Sequence, residues 1–351
     1  MIPARLQAAL LPLVAVAVVL GVLVLLADGR SPSSAAVAIW QGAFADRAAW
    51  GATLEKATPL VFSGLAVLVA LRAGLFNIGA QGQLLVGSVM AAYAGFRLSG
   101  LPAAVHVPLV LAVGVAAGAL PALLAGLLKA VRGVHEVIVT IMLNTVLVNL
   151  TDWLAGGPWR EPSQPVSRTP PIAPSAAIPR LGGLPLGFVL AVAMVVVSWI
   201  VLERTTWGFR LVTMGRNPHA AHYAGMSVTW VTIAAMTVSG ALAGMGGAVE
   251  TQGVVGRFEA GFNRGLGFDG ITIALLAKGA PPAVIPAALL IGALRASSTQ
   301  LQSTAQVPPE IVDVVLAIVL LLVAAPMLLR RILGQRAVAG DALAVGSRWT
   351  S

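Results

Sequence analysis

The sequence predicts an all-α, polytopic membrane protein of about ten transmembrane helices, and three observations carry that reading. Hydrophobic residues make up 58% of the 351 residues and charged residues only 10%, against about 25% charged in soluble domains. Apolar stretches near the roughly 20 residues that a bilayer core needs recur along the whole chain. Gly (38) and Pro (22) are abundant; in lipid this suits close helix crossings and broken helices. The chain has no cysteine, which excludes disulfides, thiolate metal sites and cysteine nucleophiles. The net charge of +9 is dispersed, with no run longer than Arg330-Arg331, so no basic patch for nucleic acid forms.

The first element runs from Leu6 to Ala27, between Arg5 and Asp28. It is longer than the apolar core of a cleaved signal, and no small-residue cleavage site follows it directly, so it reads as a retained helix. Thr53–Leu71 is second, closed by Arg72, and Ile78–Phe96 follows after a very short connection. The fourth runs uncharged from Leu98 to Leu128, before Lys129 and Arg132. Val137–Leu154 is fifth and carries Asn144, Asn149 and Asp152. Segment 155–185 holds Pro158, Pro162, Pro165, Pro170, Pro171, Pro174 and Pro179; proline at that density cannot stay helical, so this is the longest water-exposed loop, placed outside. Leu186–Leu202 is the sixth span and Val228–Val249 the seventh, with a polar, basic segment 204–227 between them. Beyond the Gly-rich loop 253–267, Phe268–Ala277 is a short eighth element, and Ala283–Leu301 and Ile311–Leu329 are the last two. The tail 330–351 is short and basic. Residues 1–351 read as a single transmembrane domain. With both termini cytoplasmic, 12 of the 22 Lys and Arg residues fall inside, the bias that orients membrane chains.

Enzyme motifs fail on local detail. His135-Glu136 begins like a zinc-protease helix, but Val139 stands where the second histidine belongs. No Gly-x-Ser-x-Gly elbow occurs. No phosphate-cradling Gly-x-x-x-x-Gly-Lys loop occurs either. Neither a catalytic nor a metal site is expected, and energy for transport must come from a partner or an ion gradient.

Four segments carry the functional reading. The first, Gly74 to Gln83, places Asn77, Gln81 and Gln83 among glycines between two apolar stretches. Neutral amides at membrane depth can bind a polar solute without burying a charge; the same segment also reads as a tight cytoplasmic turn. The second is the polar set of the fifth span, where Asn144 and Asn149 line the path or bond neighbouring helices. The third contains Gly208, Arg210, Gly215, Arg216, Asn217, Pro218, Ala221, Tyr223 and Gly225. Asn217 suits an N-cap, Pro218 the first helical position and Gly225 a C-terminal stop, so a short amphipathic helix is expected there. It is either a docking element for a cytoplasmic partner or a solvated interfacial helix. The fourth, Gly261 to Ile271, carries Asp269 and repeats Phe-Asn-x-Gly, present at 76–79 and again at 262–265; transporter halves often repeat internally. Gly114-x-x-x-Gly118 and Gly240-x-x-x-Gly244 mark close helix crossings, within the chain or between subunits.

In this order and spacing, the four segments resemble the permease subunits of ABC importers for nucleosides and simple sugars, in the branch paired with basic-membrane-protein-type binding lipoproteins. The resemblance runs from about Thr53 to Leu329. Asn-Ile-Gly-Ala-x-Gly-Gln at 77–83 is its most discriminating part; ribose-type permeases carry an Ile-Asp-Leu-Ser run there. It implies a type II ABC importer-like permease in a bacterial or archaeal inner membrane. Its partners would be a second permease subunit (the same or a different chain), cytoplasmic ATPase subunits that bind ATP and Mg, and an external substrate-binding lipoprotein. No cofactor belongs to this chain. Asn77, Gln81, Gln83, Asn144, Asn149 and Asp269 would lie along the path. Gly208 to Gly225 would couple to the ATPase. Two positions depart from the family: Gln81 where Glu is common and His135 where Asn is common. Two rivals remain. A branched-chain amino acid permease would need charged or half-helix contacts for a zwitterion. An ion-coupled carrier would need buried carboxylates, whereas Asp152, Glu250 and Asp269 fall at predicted helix ends.

Overall fold

A computed structural model of the chain describes residues 32–318 apart from 163, 262–264, 306–307 and 309. The element expected at Leu6–Ala27, most of Ile311–Leu329, the tail 330–351 and the second Phe-Asn-x-Gly therefore lie outside the described residues. Helices in chain order are α1 (Pro32–Ala43), α2 (Arg47–Arg72), α3 (Ala80–Arg97), α4 (Ala103–Arg132), α5 (Glu136–Gly156), α6 (Leu186–Arg204), α7 (Thr206–Arg216), α8 (Pro218–Tyr223), α9 (Val228–Glu250), α10 (Leu266–Leu276), α11 (Val284–Ala296) and α12 (Ser298–Ala305). A further helix, α13, covers 310–318. A two-stranded antiparallel ribbon, β1 (Arg180–Leu181) and β2 (Leu184–Pro185), interrupts the 155–185 segment.

Among the described residues, six segments are long and apolar enough to cross a membrane: Arg47–Arg72, Ala103–Arg132, Glu136–Gly156, Leu186–Arg204, Val228–Val255 and Pro281–Thr304. The chain is thus a multi-pass membrane protein. Helix α3 is not among the six. It is the most enclosed element, with 13 of its 18 residues buried. A helix walled by other helices need not be apolar enough for lipid, so hydropathy undervalues it. Helix α10 is too short to span alone.

Thr58–Ala288 form one compact unit; the described residues 32–57 and 289–318 belong to a second. In the smaller unit, Gly42 of α1 lies against the Ser297 backbone. Thr53 Oγ1 donates to the Ala43 carbonyl at 2.9 Å, and Arg295 pairs with Asp313 at 3.3 Å.

The larger unit is built on α3, α4 and α9. Both Gly-x-x-x-Gly motifs meet here, and they meet each other. A Cβ on Gly118 would lie 2.5 Å from the Gly240 carbonyl oxygen and 2.6 Å from the Gly244 Cα. A Cβ on Gly87 of α3 would lie 2.5 Å from that same Gly244 Cα. Three backbones converge where side chains are missing, which is how helices gain packing energy when lipid supplies no hydrophobic drive. The motifs are spent inside the chain.

Helix α5 is inside out relative to a soluble helix. Its buried face is Glu136, Thr140, Asn144, Leu147, Thr151 and Ala155. Its exposed face carries Ile138, Ile141, Met142, Val146, Leu150 and Trp153, which suits a lipid environment. His135 caps it, accepting from the Val137 N–H at 3.3 Å. An asparagine there would serve the same purpose. Lys129 near the end of α4 pairs with Glu136 at 2.9 Å.

Two boundaries differ from expectation. The seventh span does not stop at Val249: α9 runs on through a π-helical turn, Thr251–Val255. Glu250 is therefore buried within a span rather than at its end. A single charge looked like a terminus, but the Ser88 hydroxyl meets Thr251 Oγ1 at 2.7 Å. Gln252 Nε2 donates to the Ala176 carbonyl at 2.7 Å. Tertiary partners thus carry the polar turn inward. The 155–185 segment, expected to be fully exposed, is partly folded down. Thr169, Ile172 and Ala176 are buried. Arg168 bridges to Glu259, and Glu161 holds both Arg168 (2.8 Å) and Arg257 (3.2 Å).

Candidate functional site

The Gly74–Gln83 segment begins where α2 ends. The Ala73, Gly74 and Leu75 amides donate to the carbonyls of Ala70, Leu71 and Ala70. Gly74 takes φ +71°, a left-handed stop that glycine adopts without strain. The chain then drops into the helix interior and carries its amides with it. Asn77, Gln81 and Gln83 are 0%, 2% and 1% exposed.

Asn77 is the hub. Its Oδ1 accepts from the Gly79 N–H (2.9 Å) and from Gln83 Nε2 (3.2 Å). Its Nδ2 donates to Gln83 Oε1 and to Ser239 Oγ, both at 2.8 Å. Ser239 in turn donates to the Ala66 carbonyl at 2.6 Å on α2. Asn144 reaches in from α5: its Oδ1 accepts from the Gly82 N–H at 2.8 Å and its Nδ2 donates to the Ile78 carbonyl at 2.7 Å. Gln81 Oε1 accepts from the Gly267 N–H at 2.7 Å, at the start of α10. Five helices (α2, α3, α5, α9 and α10) are tied at one polar knot. Glycine makes it possible: a Cβ on Gly79 would lie 2.6 Å from Gln83 Nε2 and one on Gly82 2.9 Å from Asn144 Oδ1. The segment is a turn between two helices, and its buried neutral amides bond within the protein.

Asn149 is not part of the knot. It lies on the exposed side of α5 and donates to the Thr145 carbonyl of its own helix at 2.7 Å. Asp269 sits half-buried in the first turn of α10. Sequence reasoning missed Ser239, and it included Gly267 in the fourth segment without assigning it a role. Ser239 was findable as a hydroxyl beside Gly240 in an apolar span; Gly267 carried no signal of its own.

The 204–227 segment folds as two helices rather than one. Thr205 caps α7 through the Gly208 N–H at 3.3 Å. Asn217 Oδ1 accepts from the His219 and Ala220 amides, each at 3.1 Å, and caps α8. Pro218 opens α8, and Gly225 follows it at φ +77°. Gly208, Leu211, Met214 and Ala221 are buried, Gly215 and Asn217 half-buried. Arg210, Arg216, Pro218 and Gly225 are exposed, and Tyr223 is 91% exposed.

Residues 51–324 match the family model described as "Branched-chain amino acid transport system / permease component". The chain belongs to this family. It is 39% identical to the guanosine ABC transporter permease protein NupP of Bacillus subtilis, over 94% of this chain and 97% of that one. It is 31% identical to the nucleoside ABC transporter permease protein NupB of Lactococcus lactis, covering 90% of each. It is 35% identical to the glucose ABC transporter permease protein TsgB13 of Haloferax volcanii, over 76% of this chain and 74% of that one. No solved structure matches. The chain is a membrane transport subunit of the ABC permease kind, not an ATPase.

Proposed function

We propose that this chain forms the translocation path of an ATP-driven importer for nucleosides. The observation that carries the reading is the buried knot of neutral amides at Asn77, Gln81, Gln83 and Asn144. It adds no charge where a nucleoside would pass, whereas a zwitterionic amino acid would call for one. The relatives named for guanosine and for nucleosides support the same class. The knot holds the wall of the path, with Asp269 of α10 beside it. About ten helices would lie in the membrane: the six spans, the enclosed α3, the short α10, and the two elements at Leu6–Ala27 and Ile311–Leu329. Both termini would face the cytoplasm of a bacterial or archaeal cell. Segment 155–185 would lie outside and segments 204–227 and 330–351 inside.

Helices α7 and α8, with Gly208, Arg210, Gly215, Arg216, Asn217, Pro218, Ala221, Tyr223 and Gly225, would dock on a separate ATPase subunit. That subunit would bind ATP and Mg; this chain needs no cofactor of its own. A second permease subunit and an external binding lipoprotein complete the assembly. Uptake of labelled guanosine, uridine and glucose, in cells with and without the gene, tests the substrate class. Loss of guanosine and uridine uptake alone supports it. Loss of glucose uptake alone, or of none of the three, sinks it. Disrupting α8 with Asn217→Pro and Gly225→Val tests the docking role; unchanged stimulation of ATP hydrolysis by substrate would remove it.

A further inference from the structure

Helix α7 meets the turn after α2 at a bare spot. A Cβ on Gly215 would collide with the Arg72 carbonyl oxygen and lie 2.8 Å from the Ala73 carbonyl carbon and the Gly74 nitrogen. Conversely, a Cβ on Gly74 would lie 2.9 Å from the Gly215 Cα. The contact is backbone on backbone, with no side chain whose rotamers could absorb a shift. From Gly74 the chain reaches Asn77 in three residues. A second route runs through α9: the Thr232 hydroxyl meets Met214 Sδ of α7 at 3.5 Å. Ser239, the partner of Asn77, lies two turns further along the same buried face. The 72–74 turn is itself braced. Arg72 Nε donates to the Gly279 carbonyl at 2.7 Å, and its guanidinium pairs with Glu203 at the end of α6.

We propose that the Gly74–Gly215 contact is a mechanical relay. Any displacement of α7 moves the 72–79 turn as one body with it and opens or closes the amide knot, with Arg72 as the positioning residue that keeps the turn seated. This rests on the reading of α7 and α8 as the ATPase-docking segment.

The test uses the complete complex in lipid vesicles and needs no assumption about the substrate. The chain has no cysteine, so Ser239→Cys gives a single reporter in the knot, fully buried in this state. Its labelling by a small thiol reagent, with and without ATP, should change by about 5-fold or more, the lower range of site-to-site coupling. Adding Gly215→Ala should bring the ratio to about 1, outside that coupling range. A ratio that survives Gly215→Ala, or one absent without it, overturns the relay. Should Gly215→Ala fail to assemble, Arg72→Gln decides: an unchanged ratio there overturns the relay equally. Cross-linking from Tyr223→Cys to the ATPase is read separately. Its absence sinks the docking reading, whereas a cross-link together with a surviving labelling ratio sinks the relay alone.

Discussion

The amide knot and the α7–α8 segment are both polar interruptions between apolar helices, and the fold treats them in opposite ways. In the knot, Asn77, Gln83 and Asn144 bond to one another or to backbone groups and are buried. In α7–α8, caps satisfy the helix ends locally while Arg210, Arg216 and Tyr223 stay outside. The difference teaches where each region's partners are. Buried polar groups in a membrane protein need internal partners, because no water reaches them. Exposed side chains carry no such demand.

That contrast breaks most sharply at Asn77. Asn77→Leu removes partners from the Gly79 amide, Gln83 and Ser239 together; each buried group so stranded costs about 1–3 kcal/mol. Thermal unfolding in detergent should show the largest loss of any single change here, while Asn149→Leu should stay within about 0.5 kcal/mol. An equal loss at Asn149 would show that its face of α5 is buried by a partner rather than open.

Gln81 sharpens the same side. Its established contact is as an acceptor, from the Gly267 N–H. Gln81→Leu should cost about 1–3 kcal/mol, and Gln81→Glu, which keeps an acceptor, should cost less in the same melt. A glutamate as damaging as leucine would show that the amide's N–H groups matter more than its oxygen.

On the exposed side the effects are smaller. Asn217→Ala should loosen α8 by about 1 kcal/mol, read as faster hydrogen exchange at His219 and Ala220 without a shift in the global melt. A global shift would mean that α8 is part of the core. Tyr223→Ala should change stability by less than about 0.5 kcal/mol while weakening association with the ATPase about tenfold, as loss of an aromatic anchor does. A stability loss with intact association would exchange the roles of the two regions.

Much of this molecule was legible in order and kind. The spans, the caps at Asn217, Pro218 and Gly225, and the absence of an ATP site follow from local composition and spacing, because apolar length and capping are properties of neighbouring residues. The close crossings were visible as Gly-x-x-x-Gly, but not that Gly118 meets Gly240 and Gly244. The seventh span was cut short at Glu250 because a charge reads as an end until its surroundings are known. Helix α1 went unread because its 12 residues fall short of a span, although Ser31-Pro32 in the sequence is a start signal of the same kind as Asn217-Pro218. The partner of Asn77 lies 162 positions away at Ser239, and no periodicity reaches that far. The sequence by itself determined a multi-pass permease with amides at one helix junction and a capped helix at another. Only the tertiary structure decided that the amides bind one another and that Gly215 rests on Gly74, because burial and pairing of polar groups depend on which distant helices come together.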